Sequence, residues 1–182
     1  MQKKVLSEID YYWGEIKMPP KFEIDLKSLK NSFIKEYVKE SKVSEDFYNY
    51  KYNDYVANHS KEMVRIKDYT RDHFNADFGR NLIQKKEWIN VYKPQENSII
   101  RNNIDPLDLR NSPDYTFIYG VDIEKTNKVI IEFDDNRRKN RTWEYELKNN
   151  FWVMFPSTQK YMVVNNSLKQ LSVIYTITYE YI

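Results

Sequence analysis

Cysteine is absent from this chain. Its absence excludes disulfides, thiolate catalysis and cysteine-ligated zinc or iron–sulfur centres, and leaves the compartment undecided. Glycine is nearly as scarce, with 3 in 182 residues. Loops that cradle phosphate need glycine for close backbone approach and positive φ, and no glycine-rich nucleotide motif is present. Long apolar runs are missing as well. Nothing approaches the roughly eighteen consecutive apolar residues of a membrane span, and the opening MQKKVLSEIDYYW lacks the apolar stretch of a secretory signal. The expectation is a soluble chain with no membrane span and no signal-peptide export. Nor is there an excess of one charge: 29 Lys and Arg stand against 27 Asp and Glu, for a net +2. Without a general pull toward phosphate backbones or anionic lipid, no specific nucleic-acid or membrane partner is expected.

What is present describes a globular protein. Hydrophobic residues make up 41% and charged residues 31%, a balance that folds rather than stays disordered. The length suits one domain spanning 1–182, with a helical or extended part over 1–85 and a β-rich core over 86–182. Aromatic content is high at 16%, with 16 tyrosines.

Gly14 and the Pro19-Pro20 pair mark an extended, turn-rich opening segment. Asp25 is placed to cap a helix running to about Glu40, because Leu26, Leu29, Phe33 and Tyr37 recur at helical spacing with Ile34 and Val38 beside them. Ser41 to Asn58 is polar and tyrosine-rich and reads as an irregular connector with room for a short strand. Met63, Ile66, Thr70 and Phe74 define a second helix from about Ser60 to Phe78, with Gly79 as its stop.

From Lys86 the period changes to two. Glu87–Tyr92, Tyr115–Asp122, Lys128–Asp134, Arg141–Glu146, Phe151–Phe155 and Leu171–Tyr181 are rich in β-branched and aromatic residues and are separated by turn formers. In the last, Leu171, Val173, Tyr175, Ile177, Tyr179 and Tyr181 share one face while Ser172, Thr176, Thr178 and Glu180 share the other, which predicts a strand buried on one side. Helices followed by short antiparallel strands indicate an α+β fold, with the N-terminal helices packed on one sheet of a sandwich or jelly roll.

Three blocks resemble a known family. Trp88-Ile-Asn-Val-Tyr92 with Lys93-Pro94 resembles the strand leading to the first metal-binding loop of small iron(II)/2-oxoglutarate oxygenases, including many carried by marine bacteriophages. Tyr115-Thr-Phe-Ile-Tyr-Gly-Val121 and Lys128-Val-Ile-Ile-Glu-Phe133 are similar to the two strands after it. Phe151-Trp-Val-Met-Phe-Pro-Ser157, then Val163-Val164-Asn165-Asn166-Ser167 and Leu171-Ser-Val-Ile-Tyr175, resembles the strand, turn and closing strand that carry the distal histidine and the cosubstrate arginine. The resemblance runs from about Trp88 to Ile182 and implies a double-stranded β-helix.

In the family, a histidine, a carboxylate or histidine two positions later and a distant histidine hold iron(II), and an arginine pairs with the far carboxylate of 2-oxoglutarate. Carried onto this chain, the first pair falls at Arg101 and Asn103, the distal ligand at Tyr161 (or Lys160, one register away), and the arginine at Gln170 beside Lys169. Every position departs from the pattern. A guanidinium has no lone pair for a metal, a carboxamide is a weak ligand, and a phenol must ionise from a pKa near ~10. The only two histidines, His59 and His73, lie in the N-terminal half and read as surface or helix-packing residues. No metal and no cofactor are therefore expected.

Asp105 and Asp108 fit a turn better than a substitute metal loop. The Asp134–Arg141 run mixes both signs between two strands and reads as a solvated hairpin tip. Arg101, Lys160 and Lys169 form a candidate anion pocket where the metal would have sat. The tyrosines suit core and subunit contacts better than a stacking surface for sugars or bases.

The leading reading is a non-catalytic structural or interaction protein, a pseudoenzyme that self-associates or binds protein partners. Its most specific form is a bacteriophage virion or assembly component, located in the virion or the host cytoplasm; this form rests on the family association and on a composition rich in Asn, Lys, Ile and Tyr. The alternatives are an active dioxygenase with a rearranged site and a small-ligand or glycan binder using the vacated pocket.

Overall fold

A computed structural model describes residues 9–43, 54–57, 59–79, 81–124, 127–134 and 140–182. Its elements in chain order are β1 (Tyr12–Glu15), α1 (Leu26–Val43), β2 (Asp54–Tyr55), α2 (Lys61–Phe78), β3 (Leu82–Tyr92), β4 (Tyr115–Asp122), β5 (Lys128–Asp134), β6 (Asn140–Glu146), β7 (Phe151–Pro156), β8 (Lys160–Val164) and β9 (Ser172–Tyr181). Most of the tyrosine-rich connector and the tip of the Asp134–Arg141 run lie outside the described residues.

The strands form two antiparallel sheets. The larger has the order β1-β7-β4-β9-β3-β2 and the smaller β6-β5-β8. Residues 97–101 run beside β8 through isolated bridges at Asn97–Val164 and Arg101–Tyr161, and so extend the smaller sheet. With the strands packed face to face, the two sheets enclose a common interior.

Both helices cover the outer face of the larger sheet. Leu29 and Phe33 of α1 and Met63, Ile66 and Phe74 of α2 bury against Ile89, Val91, Phe117, Tyr175 and Ile177. Each large side chain so buried contributes about 1.5–3 kcal/mol of hydrophobic stabilisation. The helix α2 begins where Ser60 accepts a hydrogen bond from the Met63 N–H, and it ends at Gly79, whose φ of 64° satisfies the left-handed stop. Glycine is needed elsewhere for space: a Cβ on Gly120 would stand 2.2 Å from the Lys148 carbonyl oxygen.

The structure departs from the sequence reading in four places. The first core strand starts at Leu82 rather than near Lys86, with a register shift between Gln84 and Lys86. Tyr12–Glu15 of the opening segment forms a strand paired with β7; with the connector's short strand, Asp54–Tyr55, on β3, both outer edges of the larger sheet come from the first 85 residues. Lys160–Val164 forms a further strand, paired with β5. Finally, β9 is buried on both faces. Val173, Tyr175 and Ile177 face the helices, while Ile174 belongs to the interior core with Tyr92, Ile118, Phe155 and Tyr161, and Ser172, Thr176 and Thr178 beside it are also buried. The polar alternation of this central strand faces the lumen of the roll, not solvent.

Candidate functional site

The interior has an apolar end and a polar end, and the polar end lies where residues 97–103 cross β8. Arg101 and Tyr161 are direct antiparallel partners, with Arg101 N–H to Tyr161 O at 3.0 Å and Tyr161 N–H to Arg101 O at 2.8 Å. Directly opposed residues put their side chains on the same face, and so do residues two apart, which brings Asn103 to that face as well. Tyr161 is 2% exposed and packs in the interior core, whereas Lys160, one position earlier on β8, is exposed.

Three of the positions singled out by the resemblance are therefore in contact. Arg101 Nε donates to Tyr161 Oη at 3.1 Å, and Asn103 Nδ2 donates to the same oxygen at 3.2 Å. Asn103 Nδ2 also reaches Thr116 Oγ1 at 2.9 Å, which lies 2.9 Å from Ser157 Oγ. The fourth, Gln170, stands apart: it is exposed in the turn before β9, where its backbone N–H donates to Ser167 Oγ at 2.8 Å.

The partner that sequence reasoning missed is Asp54. Its register with Asn90 across β2 and β3 aims its carboxylate at the polar end, and Arg101 meets it with Nη1 to Oδ2 at 2.7 Å and Nη2 to Oδ1 at 2.9 Å. Asn90 Nδ2 donates to Oδ1 at 2.6 Å, and the Asn90 carboxamide oxygen accepts from Thr176 Oγ1 at 2.7 Å. The Trp88 ring centroid lies 5.5 Å from Arg101 Cζ, and that of Tyr161 lies 5.8 Å away. These contacts link both sheets and the connector in one polar network. Burial opposes the charge on Arg101, but the Tyr161 phenol and the Asp54 carboxylate more than offset it, so its pKa is raised and the guanidinium stays charged. Burial also pushes the pKa of neighbouring Tyr92 far up, although Arg101 acts in the opposite direction.

The candidate anion pocket of Arg101, Lys160 and Lys169 is not assembled. Lys160 falls on the outward face of β8, Lys169 lies exposed in the turn before β9, and Arg101 is neutralised by Asp54. The remaining candidates behave as their local patterns suggested. His73 stacks on Tyr69 at 3.8 Å on the surface of α2, and His59 is exposed. Asp105 accepts from Leu107 N–H at 2.9 Å and Asp108 from Asn111 N–H at 3.3 Å, which are turn contacts.

The donors at the polar end do not suit ferrous ion. Arg101 offers no lone pair, the Tyr161 oxygen already receives two N–H donors, and the Asp54 carboxylate is bound to a guanidinium. Among the described residues, no group of three or more His, Cys, Asp or Glu could hold a metal ion.

No family model matches the sequence, and no curated protein matches it. Solved structures do. A prolyl-4-hydroxylase from Pseudomonas putida aligns with a TM-score of 0.63 at 9% identity, over 93% of this chain and 91% of that one. The viral collagen prolyl hydroxylase from Paramecium Bursaria Chlorella virus-1, a 2-oxoglutarate complex, aligns with a TM-score of 0.59 at 14% identity, over 93% and 94%. The non-heme alpha-ketoglutarate-dependent carbocyclase SnoK from nogalamycin biosynthesis aligns with a TM-score of 0.63 at 8% identity, over 93% and 78%. At such identities the likeness concerns the backbone alone. The chain has the double-stranded β-helix fold of the iron(II)/2-oxoglutarate oxygenases, with helices on its larger sheet.

Proposed function

We propose that this chain is a non-catalytic structural or interaction protein, a pseudoenzyme on the oxygenase-like jelly roll. The observation that supports this reading is the Asp54–Arg101 ion pair, in which Arg101, in contact with Tyr161 and beside Asn103, stands where the sequence resemblance puts the iron ligands. An internal cation held by an internal carboxylate does the cross-linking there, and neither group is available for oxygen chemistry. Calorimetry under anaerobic conditions with iron(II) or manganese(II) plus 2-oxoglutarate tests it. No saturable heat that depends on the metal is expected, whereas stoichiometric binding of iron(II) or manganese(II) restores the dioxygenase reading.

The proposed partners are proteins, either further copies of the chain or a larger assembly. Two features support this: β1 and β6 are edge strands, and Trp13 on β1 is 58% exposed beside Trp143 on β6, with ring centroids 5.3 Å apart. Edge strands and exposed aromatics are common means of association. Native mass spectrometry should give a multimer or a co-purifying partner, and a strict monomer contradicts this part. Among the described residues, no helix is long and apolar enough to cross a membrane. A virion or assembly component, in the particle or the host cytoplasm, is the more specific setting proposed. Genes for other virion proteins next to its own would support that setting, and their absence would oppose it.

A further inference from the structure

The Asp54 carboxylate rests in a cradle built by other parts of the roll. Arg101 supplies two N–H donors at 2.7 and 2.9 Å, and Asn90 supplies a third at 2.6 Å. Trp88 lies against the guanidinium, its ring centroid 5.5 Å from Arg101 Cζ, and its indole N–H is buried without a hydrogen-bond partner among the described residues. A forked guanidinium and a carboxamide donor together recognise a planar carboxylate. Asn90 and Trp88 stand on the eleven-residue β3, whereas the carboxylate arrives on β2 at the outer edge of the larger sheet, whose described residues pair at Asp54–Asn90 and Tyr55–Ile89 and rest on α1 through Tyr37–Tyr55 and the Val56 N–H donated to Glu40. The cradle is reachable from solvent, with the Asp54 side chain 22% and the Arg101 side chain 11% exposed.

We infer that this end of the roll is a carboxylate-binding site and that Asp54 is its displaceable internal occupant. An outside carboxylate takes over the Arg101 and Asn90 donors when β2 leaves the edge of β3. One carboxylate replaces another on the same cation, so the charge of the site is unchanged and no covalent bond is made or broken. An occupant tethered to its own site acts at an effective concentration of roughly millimolar or above. The native chain therefore answers to a carboxylate that is abundant or anchored by further contacts, which makes β2 a latch. The inference goes beyond a non-catalytic role and involves no metal, so a test in metal-free buffer fails or succeeds independently of iron binding.

The test compares sodium acetate with sodium chloride at equal ionic strength, in buffer freed of metal on a chelating resin, for the unaltered chain and for the Asp54→Ala, Asp54→Asn and Asp54→Ala/Arg101→Met variants. The readouts are the thermal midpoint and the Trp88 indole N–H resonance, assigned through Trp88→Phe. Acetate should raise the midpoint saturably in Asp54→Ala, with half-saturation at least about tenfold below the concentration that moves the Trp88 resonance in the unaltered chain. The Asn variant keeps the side-chain volume and should respond in the same sense if the Ala variant does not fold. The double variant should respond to acetate no more than to chloride. A short acidic peptide, at matched carboxylate concentration, distinguishes the source: a stronger response than to acetate assigns the ligand to a polypeptide, and an equal one to a small acid. The inference is overturned if acetate acts like chloride in both single variants, if its effect survives the loss of Arg101, or if the unaltered chain stays silent at every concentration reached.

Discussion

Arg101 and Asp54, from segments 47 residues apart, meet through two parallel hydrogen bonds of 2.7 and 2.9 Å. Their side chains are 11% and 22% exposed, so the pair is mostly removed from water and each partner depends on the other to offset its lost hydration. The contact ties the connector to the smaller sheet and sets the character of the polar end of the roll.

Removing one partner should cost more than removing both. Arg101→Met or Asp54→Leu alone strands a charge, and a loss of about 2–4 kcal/mol in urea unfolding is expected, reduced from the fully buried case by the residual exposure. The Asp54→Leu/Arg101→Met double variant should lie closer to the unaltered protein than either single variant. Additive losses in the cycle would show that the pair is not coupled.

Tyr161→Phe removes the oxygen that accepts from both Arg101 and Asn103. Two donors then lose a partner in a buried setting, and a loss of about 1–3 kcal/mol is expected. A Lys160→Ala change on the outward face of the same strand should stay within about 0.5 kcal/mol. Equal effects of the two would contradict the assignment of Tyr161 to the interior.

Much of this arrangement was legible in the sequence, and the limits have physical causes. The amphipathic periods of α1 and α2, the Ser60 and Gly79 boundaries and the strands β4, β5, β6, β7 and β9 follow from local patterning. The choice between Tyr161 and Lys160 is open in the sequence, because it depends on the pairing of β8 with β5, which puts Tyr161 inside and leaves Lys160 exposed. The strand β1 was missed because Tyr12-Trp-Gly-Glu15 carries a glycine and owes its strand state to pairing with β7. The burial of β9's polar face is not legible, because alternation cannot distinguish bulk water from a hydrogen-bonded lumen. Asp54 was missed because its role depends on the long-range register with Asn90, which no local spacing encodes.

Gly120→Ala should be strongly disruptive for its type. The added methyl would lie 2.2 Å from the Lys148 carbonyl oxygen and 2.9 Å from Ile123 Cγ1, so backbone must move. A loss of about 1–3 kcal/mol in chemical denaturation is expected. Gly14→Ala, whose nearest neighbour would be a Trp152 ring carbon at 3.4 Å, should cost much less. The reverse order would contradict the packing of β4 against the β6–β7 turn.

Stability should fall in alkali. Burial raises the pKa of Tyr145 from 10.0 to about 12. It also raises those of Tyr119 and Tyr179, and that of Tyr175 with further help from Glu87. Above the ordinary tyrosine pKa the unfolded chain has lost phenolic protons that the folded chain keeps, so the unfolded state binds fewer protons and stability declines as pH rises. This contribution is complete below pH ~10 and is lost progressively above it. Absorbance at the tyrosinate band should show a late, cooperative step coincident with loss of circular dichroism. A smooth titration of all tyrosines near the ordinary value would contradict their burial.

The central claim is that an internal ion pair has taken the place of the metal. Electron paramagnetic resonance of manganese(II), titrated with the chain in the presence of 2-oxoglutarate, tests it most directly. The account predicts that the free-ion signal persists undiminished as protein is added. Loss of that signal at one manganese per chain, reversed by Tyr161→Ala, would contradict it.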